Sequence, residues 1–205
     1  MQSSLIFTKG KKMKIDITHK LKKDNPVFEK FKDPDKNYLN FGHVGTHLDS
    51  HLHTVIPLDY ISNRGIIFDV SEISHKEIQI DDIDPSLIRE KDFVIFQTSE
   101  NEKLGYGTTE YFADGMELSH ELIDYLIVKR VRFIGIDALG VRNGKEHTPT
   151  DKKCESNGIY VIENLDNLSI LTKQLKISSQ QNLTIHVMWM NYDGSGLPCR
   201  VIAEI

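Results

Sequence analysis

Apolar residues along this chain come in short runs rather than long stripes, and most runs have the length of a strand. Isoleucines alternate with polar positions over residues 13–18, which predicts a first strand. Residues 65–71 and 92–98 are apolar runs rich in Ile, Phe and Val, and predict buried strands. Apolar positions 122, 123, 126 and 127 share one side of a helical spiral, so residues 119–129 predict an amphipathic helix with Ser119 as its N-cap. It leads into a further strand pattern at 131–137. A short helix over 149–157, closed by Gly158, feeds a strand at 159–162. Residues 184–191 and 199–205 predict two closing strands, and residues 81–85 a turn. Residues 20–40 are charged and aromatic, contain Pro26 and Pro34, and predict a long loop. A helix leading directly into a strand suggests a β-α-β unit, and the fold class is α/β with a mixed sheet.

The chain has 205 residues, enough for one sizeable core, and no repeat or Pro/Gly-rich linker divides it. Residues 13–205 are expected to form a single domain, with residues 1–12 as an N-terminal extension. A net charge of -5 argues against partners such as nucleic acid or an anionic membrane. No apolar run approaches the roughly 18 to 20 residues of a membrane span. Lysines follow the first apolar residues, the wrong order for a secretory signal. Two cysteines, Cys154 and Cys199, outside any Cys-x-x-Cys pair, suggest a reduced, cytoplasmic setting.

The chemistry concentrates in residues 43–53. His43, His47, His51 and His53 lie there with Asp49, all at odd positions. In an extended strand these side chains would share one face. A helix would instead pair 43 with 47 and 49 with 53, although Val44, Gly45 and Thr46 disfavour it. Either geometry converges imidazoles and a carboxylate, which are ligands for zinc, manganese or iron.

The pattern His43-x-Gly45-Thr46-His47-x-Asp49-x-x-x-His53 resembles the signature of the metal-dependent cyclase/hydrolase family, which includes bacterial kynurenine formamidase and isatin hydrolase. The resemblance extends to Asp16-Ile17-Thr18-His19, Pro26-Val27-Phe28, Gly135-Ile136-Asp137-Ala138, Val161-Ile162-Glu163-Asn164-Leu165 and Gly196-Leu197-Pro198-Cys199-Arg200. It implies a swivelling β/β/α domain, a homo-oligomer (dimer or tetramer), and one or two divalent ions per subunit, zinc or manganese. By position, His43, His47 and Asp49 correspond to metal ligands, with Asp49 bridging if there are two ions. Glu163 corresponds to a further bridging carboxylate, and His53 to the general acid/base.

Three positions depart from the family pattern. His51 stands where the family has proline, and it either adds a ligand or faces solvent. Phe28 stands where the formamidases carry a substrate-binding tryptophan. Asp151 occupies the position of the second-metal histidine, with His147 four residues before it as the alternative. A carboxylate there favours manganese over zinc.

His19, His75, His120 and His186 are scattered and read as surface or core residues. Asp137 could orient a catalytic group or cap a turn, and Arg142, Lys145, Lys152 and Lys153 read as solvated surface. Cys154 reads as inert and Trp189 as strand packing. The Gly105-Tyr106-Gly107 segment lacks the remainder of a phosphate loop. The expected function is metal-dependent hydrolysis of a small amide, lactam, lactone or ester, with water activated by the ion attacking a carbonyl. The alternative is a non-catalytic metal or small-molecule binding module of the same fold.

Overall fold

The structure, a computed structural model, describes residues 12–22, 24–31, 41–113, 115–178, 182–191 and 193–205. Almost all of the expected N-terminal extension, and residues 32–40 of the expected loop, lie outside the described residues. Ten strands are described: β1 (Lys14–Asp16), β2 (His47–Asp49), β3 (Ser62–Asp69), β4 (Glu77–Ile78), β5 (Phe93–Gln97), β6 (Glu117–Leu118), β7 (Phe133–Ile136), β8 (Tyr160–Glu163), β9 (Thr184–Trp189) and β10 (Gly196–Glu204). The described helices are α1 (Thr109–Ala113), α2 (His120–Lys129), α3 (His147–Ser156) and α4 (Leu168–Ser178).

The main sheet runs β1-β10-β2-β8-β7-β5-β3-β9, and β9 pairs again with β10, so the sheet closes on itself as a barrel does. Strand β10 makes closure possible because it is long. Its first residues, Gly196–Pro198, pair with β2, whereas Cys199–Glu204 pair with β9. Strands β3, β5, β7 and β8 are parallel neighbours, and β2, β9 and β10 join antiparallel. The mixed α/β sheet and the β5-α2-β7 unit agree with the sequence pattern.

Alternation divides the core between the two faces of the sheet. Phe93 and Ile95, Phe133, Tyr160 and Ile162 pack with Leu48 and with Leu168 and Leu171 of α4. Val94 and Phe96, Ile134 and Ile136, and Val161 pack instead against Leu122, Ile123 and Leu126 of α2 and Cys154 of α3. Because successive strand residues face opposite ways, this parity decides where polar residues emerge. Leu48 and Ile162 are opposed in register on the α4 face. Their neighbours His47, Asp49 and Glu163 must therefore lie on the α3 face.

Ser119 caps α2 as expected, its hydroxyl accepting from Leu122 N at 3.1 Å. Three expectations need correction. Helix α4 was not foreseen. Helix α3 begins at His147, two residues earlier than the pattern suggested, because Pro149 is tolerated within a first turn. Arg142 is not solvated surface but buried, donating to Glu77 Oε1 at 2.5 Å, Glu146 Oε2 at 2.5 Å and the Leu118 carbonyl at 3.0 Å. No described helix is long and apolar enough to cross a membrane.

Asp137 caps a turn. Its Oδ1 accepts from Thr98 N and Oγ1, and its Oδ2 from Ser99 N, at 2.6 to 2.9 Å. Burial nevertheless pushes its carboxyl up to about 6, the hydrogen bonds only partly opposing the rise. A folded-state pKa above the unfolded value stabilises the protein at low pH, and that contribution fades as pH rises from about 4 to about 6. Denaturant unfolding of wild type and Asp137→Asn should show the wild-type advantage shrinking by about 3 kcal/mol between pH 3 and pH 7. A pH-independent difference would contradict a raised Asp137.

Candidate metal centre

Four neighbouring segments bring the candidate ligands together. Strand β2 presents His47 and Asp49, and its partner β8 presents Glu163 directly opposite His47. Helix α3 contributes His147 and Asp151, which share a face because they are four residues apart. His43 comes from the end of a short 3-10 turn, Phe41–His43, that lies against the start of β10. That approach needs two glycines: a Cβ on Gly42 would lie 1.9 Å from the Gly196 carbonyl oxygen.

Two groups result. One is His43, His47 and Asp49; the other is Asp49, His147, Asp151 and Glu163; within each, the ligand atoms lie within 4.8 Å of one another. Asp49 belongs to both. His43 Nδ1 stands 3.1 Å from His47 Nε2 and 3.3 Å from Asp49 Oδ1. His47 Nε2 is 3.4 Å from Glu163 Oε2, and His147 Nε2 is 3.2 Å from Glu163 Oε1 and 3.4 Å from Asp151 Oδ2. Ligands about 2.1 Å from one ion stand about 3.0 Å apart in octahedral and about 3.4 Å apart in tetrahedral coordination, so these spacings fit.

The polar atoms themselves argue for a cation. Asp49, Asp151 and Glu163 are at most 3% exposed, yet both Asp49 oxygens, Asp151 Oδ2 and Glu163 Oε1 have no hydrogen-bond partner. Burying such groups unpaired costs several kcal/mol each. The imidazoles are set as ligands. His47 Nδ1–H donates to the Gly45 carbonyl at 2.9 Å, and His43 Nε2 is hydrogen-bonded with Ser195 Oγ at 2.9 Å. The bond to Gly45 leaves His47 Nε2 with its lone pair, 3.1 Å from His43 Nδ1, and with His43 Nε2–H donating to Ser195 both nitrogens would be free to ligate one ion.

Titration behaviour follows from the same crowding. Burial pulls the His47 imidazole down, but the carboxylates of Asp49 and Glu163 overcome it and lift it to about 9. Burial pushes Asp49 up, yet His47 and His43 hold it well below the usual carboxylate range. Glu163 is raised well above its ordinary value by burial and by Asp49, and Asp151 is raised by burial. With no cation, protons must fill the role of positive charge.

The structure brings His43, His47, Asp49, Glu163, Asp151 and His147 together, with both Asp151 and His147 facing the cluster. The expectation of one strand through residues 43–53 is corrected. Only His47–Asp49 is strand, because Gly45 takes φ +73° before it and His53 takes φ +53° after it. His53 consequently leaves the shared face. Its half-exposed ring turns Nδ1 toward Asp193 Oδ1 at 3.5 Å. Phe28 lies on the 3-10 turn Pro26–Phe31, 39% exposed, and is not among the clustered residues.

Supporting residues were missed. Asn164, at φ +56°, donates from Nδ2 to the Gly45 carbonyl at 3.2 Å and accepts on Oδ1 from Tyr111 Oη at 2.5 Å. The Tyr106 hydroxyl accepts from Gly45 N at 2.7 Å, so the Gly105-Tyr106-Gly107 loop buttresses the signature rather than standing apart. Asn164 sits in the Val161–Leu165 segment of the family resemblance and Tyr106 between two glycines, but only the fold brings them to Gly45.

This arrangement defines a mixed α/β protein with a candidate divalent-metal centre on one face of a closed sheet. The cyclase family model matches residues 15–142, and the chain belongs to that family. Among solved structures, a predicted metal-dependent hydrolase from Bacillus stearothermophilus is similar at 24% identity and TM-score 0.67, over 95% of this chain and 99% of that one. Isatin hydrolase A from Labrenzia aggregata, bound to benzyl benzoate, matches at 19% identity and TM-score 0.71, over 95% and 94%. An isatin hydrolase bound to the product analogue thioisatinate matches at 16% identity and TM-score 0.73, over 96% and 93%. At these identities the likeness establishes the fold. No curated protein matches the sequence.

His47→Ala and Asp49→Asn should each lose stoichiometric metal while keeping the wild-type far-UV spectrum; full metal retention in both would refute the ligand set. Gly140→Ala probes the same cluster from outside it. A Cβ there would sit 2.7 Å from both Glu163 Oε1 and His147 Cε1. Competition with a chromophoric chelator should show affinity reduced at least about tenfold, as for displaced ligand supports generally. Unchanged affinity would mean that Glu163 and His147 do not hold the ion.

Proposed function

We propose that the protein is a metal-dependent hydrolase acting on the C–N or C–O bond of a small amide, lactam, lactone or ester. The observation that carries this reading is the set of buried, unpartnered carboxylate oxygens facing imidazole nitrogens around Asp49. A divalent ion, zinc or manganese, would supply Lewis acidity there: a water nucleophile at neutral pH and polarisation of a carbonyl. His43, His47 and Asp49 would hold one ion, and Asp49, His147, Asp151 and Glu163 a second.

The residues around the cluster support a hydrolytic site. A cleft of about 620 Å³, within the usual range for small-molecule sites, is lined by Ser50, His53, Thr54, Leu58, Met188 and Trp189 among others, and Ser50 and His53 belong to the segment that follows Asp49. The mixed apolar and polar wall suits a small aromatic amide. His53 stands in this wall, and an Nδ1–H held toward Asp193 leaves Nε2 to pass a proton to a departing nitrogen or oxygen. Phe28 is proposed as a further substrate contact, by its correspondence to the family's aromatic position. Within this class, isatin-like lactams and aryl formamides of the kynurenine formamidase type are the substrates to test first, given the isatin hydrolases among the similar structures. A swivelling β/β/α domain assembled as a homo-oligomer completes the reading; Val55 and Leu58, 91% and 77% exposed at the cleft, support a covered surface there.

Chelator-treated protein, reconstituted with manganese or zinc, should hydrolyse members of a panel of isatin, N-formylkynurenine and aryl formates. Metal binding without turnover across such a panel would favour the non-catalytic binding module. His53→Ala should keep its metal and lose about 100- to 10,000-fold in turnover. An unchanged rate would remove His53 from proton transfer.

A further inference from the structure

The residue that replaces the family's proline has a place in this geometry. His51 Nε2 is buried with no hydrogen-bond partner, 3.6 Å from Asp151 Oδ2 and 3.7 Å from Asp49 Oδ1. Those oxygens are themselves unpartnered. The His51 ring lies near-parallel to that of His43, 23° apart in plane with centroids at 5.8 Å, so it is packed within the centre.

The turn carrying His51 is also fixed to the helix that carries the other ligands. Glu155 on α3 accepts from Leu52 N at 2.7 Å, Thr54 N at 3.0 Å, Thr54 Oγ1 at 2.7 Å and Ser50 Oγ at 3.2 Å. Glu155 follows Asp151 by one helical turn and His147 by two. One face of α3 thus presents two candidate ligands and clamps the turn that supplies the third side chain. His51 is held relative to Asp151 by rigid helix rather than by a free loop.

We propose that His51 is a fifth ligand to the second ion, joining Asp49, His147, Asp151 and Glu163. The inference rests on the metal-centre reading above, and it divides the two positions by chemistry. The His43, His47 and Asp49 position has two imidazoles and one carboxylate, a set typical of four-coordinate zinc. The second position has three carboxylates and two imidazoles, an oxygen-rich set of higher coordination that suits manganese. The two positions share Asp49 and differ in the ion they select.

The test is metal titration of chelator-treated full-length protein, with paramagnetic resonance of bound Mn²⁺ and calorimetry. Wild type should bind two ions per chain in two classes, one preferring Mn²⁺. With Zn²⁺ in the other class, electron spin-echo modulation of the bound Mn²⁺ should resolve two coordinated imidazole nitrogens. His51→Ala should leave one nitrogen and weaken only the Mn²⁺ class, at least about tenfold. Glu155→Gln, which keeps the ligands but weakens the clamp, should give a smaller loss in the same class. A single imidazole nitrogen in wild type, or unchanged Mn²⁺ affinity in His51→Ala, overturns the proposal. These readouts need no turnover, so failure of the hydrolase reading would show separately, as two loaded ions with no substrate consumed.

Discussion

The whole arrangement depends on negative charge that the protein buries without neutralising. Asp49, Asp151 and Glu163 converge at the buried junction of β2, β8 and α3, and their inward oxygens find no protein hydrogen. Such a cluster is unstable alone, because each ionised group raises the cost of ionising the next. Imidazoles offset part of that cost, which is why His47 is lifted to about 9. A divalent ion offsets far more, and binding it would stabilise the fold as well as serve chemistry.

The scaffold places these groups by simple rules. Pairing His47 against Glu163 and Leu48 against Ile162 sends the apolar pair into one core and the polar pair out the other side. Strand β10 fixes the other edge of β2, with Gly196 opposite Asp49, and its glycine admits the turn that carries His43. Helix α3 then packs beside β8 and adds two candidate ligands of its own to those of the strands. Around Gly45, hydrogen bonds from Asn164 and His47 to its carbonyl, and from its N–H to Tyr106, hold the kink between His43 and β2.

Much of this was legible in the sequence, and the gaps have physical causes. The window at residues 43–53 announced itself, and His43, His47 and Asp49 do converge. The parity argument held only where the backbone is extended, from His47 to Asp49; positive φ at Gly45 and His53 broke it on both sides. His147 and Asp151 were alternatives because the family spacing lands on Asp151 whereas the nearest histidine is His147; an α3 that begins at His147 rather than Pro149 puts both on one face. The α4 pattern was present in Leu168, Leu171 and Leu175 but lay in a polar, lysine-bearing segment between strands. Glu155 carries no local signal, since its partners lie about a hundred residues earlier, on a turn that only the closed sheet brings near.

The most direct test is diffraction from crystals grown with manganese and zinc, with anomalous data collected on either side of each absorption edge. The account predicts two peaks per chain flanking the Asp49 carboxylate, one beside His43 and His47 and one beside His147 and Asp151. Absence of any peak there, with the oxygens of Asp49, Asp151 and Glu163 hydrogen-bonded to protein or water instead, would contradict it.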